Sequence, residues 1–530
     1  MPDINALYDP IQRVDLMRFP ARLSKRVRHM LQYNMVNEAQ IEQIGIPVEQ
    51  RVFLTIGGGI GSFIWINNLM VYGARPAHVM SIGMETKPYA RYQRLCRQSQ
   101  IADANRLRSD SGATPDNVWG YPGYAVREAV RDTLKLRVDR GIKWMKQIFG
   151  EPILNQAYTP KSGNVFASME REAKRIGWKD IHRIGRVHAV RKTTKGNYAV
   201  FYTLRTKDGY QDRCVIAQYV HLAVGYPAVR VLPELQRYLQ ATGDNYHAVN
   251  AYENHEHVYQ HLAEHGGLVV VRGRGIVSSR ILQRLFEVRK QNENIHIMHV
   301  HRRPVSDGAS YRGTQRTVND HMEVQPYNYP KSAWGGAYRE QFQQADDHER
   351  DHLIDIWGGT TTADRADWKD ILAQGKREGW YTVLFGSISD ILPAGSQEVY
   401  IKIELQSEND AEVHASFLVD ATGLDADWRR SDLLHDLICT YELPLNVKNR
   451  LEVSDDFELE AMQSGRSRMY ATGAMTLGAK YAPVDSFLGL QYAAQCSVKH
   501  MLEQKAPCIY PLKPLRSLTQ WSRWLAGVKP

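Results

Sequence analysis

Twice along this chain a short apolar run ends in a glycine-rich turn and passes into a segment of helical periodicity, the two turns lying more than two hundred residues apart. In the first, Arg51 to Ile56 reads as a buried strand, Gly57-Gly58-Gly59-Ile60-Gly61-Ser62 as the turn, and Ile60 to Tyr72 as a helix. A turn over Gly73 to Pro76 then leads to a second strand, His78 to Gly83. In the second, Leu268 to Arg272 runs into Gly273-Arg274-Gly275-Ile276-Val277-Ser278, a helix follows, and the strand Ile295 to His301 closes the unit. Alternation of strand and helix predicts an α/β fold with parallel sheets.

A longer unit also repeats. A helix over Ala167 to Ile176 stops at Gly177-Trp178 and precedes strands near Arg186 to Val190, Tyr198 to Tyr202 and Gln218 to Gly225. Downstream, a helix from Trp368 stops at Gly379-Trp380 and precedes strands at Ser387 to Leu392, Val399 to Leu405 and Phe417 to Gly423. Each unit ends in an apolar strand running into a glycine, Gly225 or Gly423. In a doubly wound sheet that glycine arrives at the carboxyl edge beside the first strand, where ligands bind.

A dinucleotide-binding turn needs one glycine for the bend and a second where backbone amides meet the pyrophosphate at a helix N-terminus. Gly57 and Gly59 fill those places in the first turn, and Gly273 and Gly275 in the second. Ser62 and Ser278 stand where a small residue lets helix and strand approach. The acid that binds ribose hydroxyls is expected at the end of the following strand; Gly83 holds that place and Glu85 is the nearest acid. After the second unit the strand ends in Arg302 and Arg303, whose charge and fork geometry suit a 2′-phosphate and point to NADP rather than NAD.

The length, 530 residues with 43% hydrophobic, implies two or more domains. The net charge of +9 is spread along the chain without a nucleic-acid motif, and anionic cofactors or an acidic partner account for it equally well. The cysteines Cys96, Cys214, Cys439, Cys496 and Cys508 form no C-x-x-C pair, which argues against a zinc site or redox dithiol and for a reducing compartment; Cys96 is retained as a candidate reactive thiol. The N-terminus shows no signal peptide and no run is apolar enough to span a bilayer, giving a cytoplasmic expectation. His299, His301 and His321 have no acid or cysteine at ligand spacing, so no metal is expected. The tail from Pro511 carries Lys513, Arg516, Arg523 and Lys529, no acid, and a stripe of Leu515, Leu518, Trp521 and Leu525. Docking on the protein's own body is favoured for it over weak contact with a membrane surface.

The two turns, the repeat and the strand Met469-Tyr-Ala-Thr-Gly473 together resemble flavoproteins with two dinucleotide-binding domains, the class holding glutathione-reductase-like enzymes and class B flavin monooxygenases. The resemblance implies two Rossmann-like domains, an NADP domain inserted in an FAD domain, with FAD on the first turn and NADPH on the second. Its implied boundaries are an N-terminal helical extension over 1–50, an FAD domain over 51–235 and 381–505, an NADP domain over 236–380 with an insertion at 304–367, and a basic tail over 506–530. The cofactor-binding set it implies is Gly57, Gly58, Gly59, Gly61, Ser62, Glu85, Val187, Gly225, Gly273, Gly275, Ser278, Arg302, Arg303, Gly423, Gly473 and Ala474. Ala474 stands where the family often has an aspartate, and the helix after Ala482-Pro-Val-Asp-Ser-Phe-Leu-Gly489 is expected to point its N-terminus at the flavin.

The F-x-G-x-x-x-H motif of Baeyer-Villiger enzymes is missing. No catalytic side chain is assigned, because the flavin itself performs the difficult step. The insertion, with Tyr311, Arg312, Asn319, His321, Tyr327, Tyr329, Lys331, Trp334 and Arg339, reads equally as a lid or substrate wall and as an inert surface loop. Arg94, Arg97, Trp119 and Tyr121 are further candidates for cofactor or substrate contact. The expected function is an NADPH-dependent FAD oxidoreductase, a monooxygenase of a small organic substrate. The alternatives are a flavin reductase serving a protein or quinone acceptor and a non-catalytic redox sensor or scaffold.

Overall fold

The computed structural model of the chain describes residues 19–20, 23–109, 114–119, 123–154, 159–311, 314–325, 327–358, 362, 368–395, 397–406 and 410–530. Two seven-stranded sheets organise them. In the first, strands run Met35–Val36, His182–Thr193, Val79–Gly83, Val48–Ile56, Gly209–Leu222 and Arg468–Ala471, all parallel, with Tyr198–Thr206 antiparallel against its two neighbours. In the second, four parallel pairings join Tyr381–Ala394, Ile295–His301, Gly267–Arg272, Phe417–Asp420 and Ala248–Asn250. Glu398–Leu405 and Ala411–Ala415 extend it as an antiparallel meander. The near-continuous Val, Ile and Phe of the inner strands follow from burial on both faces.

The repeat read in the sequence is therefore a repeat of topology, since Val48–Ile56 and Gly267–Arg272 occupy the same place in their sheets. Each is flanked by the strand that follows its helix and by the strand that closes its hairpin unit. This corrects the domain boundary at residue 381. Tyr381–Ala394 pairs with Ile295–His301 over five residues, and its Ile388 and Ile391 share a core with Val270, Val300 and Leu418. Residues 381–420 thus complete the second sheet, and the first sheet resumes only at Arg468–Ala471. The N-terminal extension is likewise not purely helical: besides the helices Lys25–Met30 and Glu38–Gln43 it supplies the edge strand Met35–Val36, and Val48 to Gln50 already belong to the first sheet.

The insertion packs as core rather than as an inert surface loop. Tyr329, Phe342, Ile354 and Trp357 are buried in one cluster with Leu54, Ile82, Val220 and Met469 of the first sheet. It therefore leaves the second domain and docks on the first. The tail forms the helix Pro514–Leu525 on the first domain, where Trp524 is buried, donates to the Asp116 carbonyl at 3.2 Å and lies 4.4 Å from the Arg127 guanidinium. Arg516 donates to the Tyr72 carbonyl at 3.0 Å. No helix among the described residues is long and apolar enough to cross a membrane.

Candidate functional site

Both glycine turns have the same local geometry. Gly57 has φ +117°, and a methyl group there would stand 2.3 Å from the Ala223 carbonyl oxygen; Gly273 has φ +131°, with the Ala421 oxygen at 2.6 Å. The first glycine of each turn is thus fixed by backbone conformation and by the strand that closes the unit. The second glycines differ in kind. Gly59 and Gly275 have nothing within 4 Å of such a methyl group, and each opens a helix, Ile60–Val71 or Ile276–Arg289, with no side-chain cap and no acid in its first turn. Open space above uncapped amides at a helix N-terminus is what a pyrophosphate requires. Ser62 and Ser278 are fully buried and tie their turns inward, Ser62 Oγ donating to the Gly57 carbonyl at 2.6 Å and Ser278 Oγ to the Gly275 carbonyl at 2.8 Å.

The structure explains why no acid ends the second strand. A methyl group on Gly83 would lie 2.1 Å from the Gly58 nitrogen, so only glycine fits there. Glu85 comes next to the turn instead. Its carbonyl accepts from His182 Nε2 at 2.7 Å, and its carboxylate holds Arg94 at 2.7 Å. Burial pushes His182 down to about 4, so a neutral imidazole bridges Glu85 to Ser81, whose hydroxyl is 3.1 Å from the Gly57 carbonyl oxygen. Val187 lies half-buried beyond the level of Gly83 on the adjoining strand, packed against the core. Gly61 approaches Ala223 and Leu490, and Gly225 and Gly423 have positive φ with open space.

At the second turn Arg302 and Arg303 are exposed just past the strand end, and Arg274 joins them. Burial, and then the neighbouring charges of Arg303 and Arg302, lower the proton affinity of Arg274, while Glu323 opposes the shift. None of the three makes an ion pair among the described residues. Beneath them His299 Nε2 reaches the Gly273 carbonyl oxygen at 2.5 Å and Nδ1 the Tyr381 hydroxyl at 3.0 Å. Burial holds His299 down to about 4 and lowers His301 as well, so the pair supports the turn as neutral rings. No group of potential metal ligands occurs among the described residues.

The first domain and the insertion docked on it build a polar cluster that the sequence does not reveal. Ser486 caps the helix Phe487–Glu503, accepting from the Gly489 amide at 3.0 Å, and the residue before the cap is Asp485. Asp485 Oδ2 accepts from the Tyr226 hydroxyl at 3.2 Å, while Oδ1 is buried without a partner. Burial pushes its carboxyl above the usual range; Arg450 and hydrogen bonds from Tyr226 and Tyr329 hold it back. Tyr226 follows Gly225, Tyr329 comes from the insertion, and Arg450 donates to the Ala474 carbonyl at 2.5 Å. Four segments therefore converge on one carboxylate beside the Gly473-Ala474 turn. Arg108 is nearby, pushed down to about 10 by burial and by Arg316. The sequence signal was present in an acid placed just before a Ser cap within an apolar stretch, yet its partners lie far away in the chain.

The remaining candidates divide. Tyr329 belongs to this cluster, whereas Arg339 donates to the Tyr492 hydroxyl at 2.5 Å, Lys331 sits over the Tyr327 ring, His321 contacts the Val305 carbonyl and Trp334 packs edge-on to Tyr327. Asn319 lies in a short hairpin, Arg97 is 3.9 Å from Asp103, and Trp119 is half-buried. Tyr121, Arg312 and the Tyr311 side chain lie outside the described residues. All five cysteines are free, and burial pushes the Cys96 thiol up to about 12, which removes it as a reactive thiolate.

No family model matches the chain, and no curated protein matches it in sequence. Solved structures match it in fold. The ornithine N-hydroxylase of Kutzneria sp. 744, solved with reduced FAD, NADP+ and L-ornithine, is 13% identical with a TM-score of 0.64, over 86% of this chain and 100% of that one. The ornithine hydroxylase of Pseudomonas aeruginosa is 12% identical with a TM-score of 0.61, over 86% and 100%. The cadaverine monooxygenase of Erwinia amylovora, bound to FAD, is 13% identical with a TM-score of 0.61, over 87% and 96%. With both sheets and both turns in place, the chain has the fold of these three structures.

Proposed function

We propose that this protein is an NADPH-dependent FAD monooxygenase acting on a small amine. The observation that carries the reading is the pair of turns, each with a crowded first glycine and an open second one, with Arg274, Arg302 and Arg303 at the second turn in no ion pair among the described residues. Gly57, Gly59, Gly61, Ser62, Glu85, Val187, Gly225, Gly473 and Ala474 would hold FAD. Gly273, Gly275, Ser278, Gly423, Arg274, Arg302 and Arg303 would hold NADPH, the arginines taking the 2′-phosphate. Bound FAD would supply the redox and oxygen chemistry, one oxygen atom passing to substrate and the other to water, with two electrons from NADPH.

The chain's own residues then need only position substrate and manage a proton. Asp485 Oδ1, buried and unpartnered, suits a cationic amine, and its raised proton affinity suits it to take the proton that an ammonium must lose before its nitrogen reacts. Tyr226 and Tyr329 hydrogen-bond the carboxylate, and the insertion that brings Tyr329 packs into the core of the first sheet. The likeness in fold to ornithine and cadaverine hydroxylases supports the amine class. The test is oxygen uptake with NADPH by the FAD-loaded protein across small diamines and basic amino acids. One or more amines should stimulate uptake and yield a hydroxylated product. Stimulation by quinones or dyes alone would instead favour a reductase.

A further inference from the structure

The residues after the first domain's opening unit form a helical hairpin, Gly123–Leu134 and Val138–Leu154, that the proposed activity does not use. The inner helix is anchored: Arg127 pairs with Asp116, and Glu128 with Arg171 at 2.8 Å. The outer helix holds to the inner one, with Trp144 donating to Asp132 Oδ2 at 3.1 Å. Its opposite side is bare. Val138, Ile142, Met145, Phe149 and Ile153 recur at spacings of three and four and so form one stripe, and Leu134 and Leu136 stand at the tip. These seven side chains are 44% to 89% exposed. A continuous apolar stripe of this kind on a protein surface marks a contact.

Charge decides the partner. Lys135 and Arg137 are exposed at the tip and Lys146 beside the stripe, with Arg140 and Lys143 exposed further round the same helix, against the one exposed carboxylate of Asp139 among the described side chains of this stretch. A two-fold contact between copies would press this cationic rim against itself. An anionic bilayer surface meets both demands, taking the apolar stripe at the acyl boundary and the cations at the headgroups. The docked tail helix adds to the same charge. It carries no acid between Pro511 and Pro530, exposes Leu515 and Leu518, and reaches the inner helix through Trp524 against Arg127.

We infer that the hairpin Gly123–Leu134 and Val138–Leu154 docks the protein on anionic membrane surfaces through the apolar stripe of its outer helix. The test is cosedimentation of the full chain with phosphatidylcholine vesicles with and without about one third phosphatidylserine, beside sedimentation equilibrium without lipid. Binding should require the anionic lipid, fall with added salt, and drop about tenfold or more in Ile142→Glu/Phe149→Glu. Both positions are exposed, so the variant should fold as the parent does. Wild-type protein left in the supernatant with anionic vesicles, or a variant that binds as well as the parent, would overturn the inference. So would a dimer that the variant dissociates while vesicles bind neither protein, since the stripe would then face a second copy.

Discussion

At the residue scale the NADP assignment rests on three arginines that the second turn gathers. Arg302→Ala/Arg303→Ala should raise the KM for NADPH by tenfold to a hundredfold, about 1.5–3 kcal/mol for charge-assisted bonds, and leave NADH nearly unchanged. Steady-state oxidation of the two coenzymes reads the difference, and an unaltered preference would remove the phosphate from this site. Asp485→Asn should abolish amine-stimulated oxygen uptake yet leave NADPH oxidation without amine intact. Its stability has a sign as well. The folded carboxyl binds its proton more tightly than the unfolded one, so the wild type loses stability as pH rises above the unfolded value near 3.8. The variant should therefore melt higher than the parent at pH 8 and equally at low pH. Arg302 and Arg303 were legible because they end a recognisable strand. Arg274 and Asp485 were not, since what identifies them is the company of residues from elsewhere in the chain.

At the scale of elements the glycines separate binding from folding. Gly59 and Gly275 have negative φ and open surroundings, so Gly59→Ala and Gly275→Ala should stay within about 1 kcal/mol of the parent in stability. The first should lose FAD and the second NADPH, by absorbance and by titration respectively. Gly83→Ala should act differently, because the added carbon meets the Gly58 backbone; a loss of about 1–3 kcal/mol is expected together with weaker FAD binding. Strands and turns of this kind could be read from the sequence because local apolar runs and glycines dictate them. Sheet membership could not. From sequence the strands from Tyr381 to Asp420 read as part of the first domain, since their alternation reports one buried face but not the sheet that buries it.

At the scale of the whole molecule, buried neutral histidines link stability to pH. Burial holds His182 and His299 at about 4 and His221 at about 3, below the ordinary 6.5. The unfolded chain takes up these protons first, so stability is full above pH 6.5 and falls as pH drops from there toward 4, by ~1.4 kcal/mol per pH unit for each group. Denaturant midpoints at pH 7 and pH 5 would show it. The duplicated topology puts one glycine turn at the head of each sheet, and the proposed function reads these as one nucleotide site per domain. The most direct test follows the flavin absorbance of the FAD-loaded protein under anaerobic addition of NADPH, then of air. Bleaching by NADPH, much slower with NADH, and recovery of the yellow colour in air are the predicted results. Protein that takes up no FAD, or bound FAD that NADPH leaves oxidised, would contradict the account.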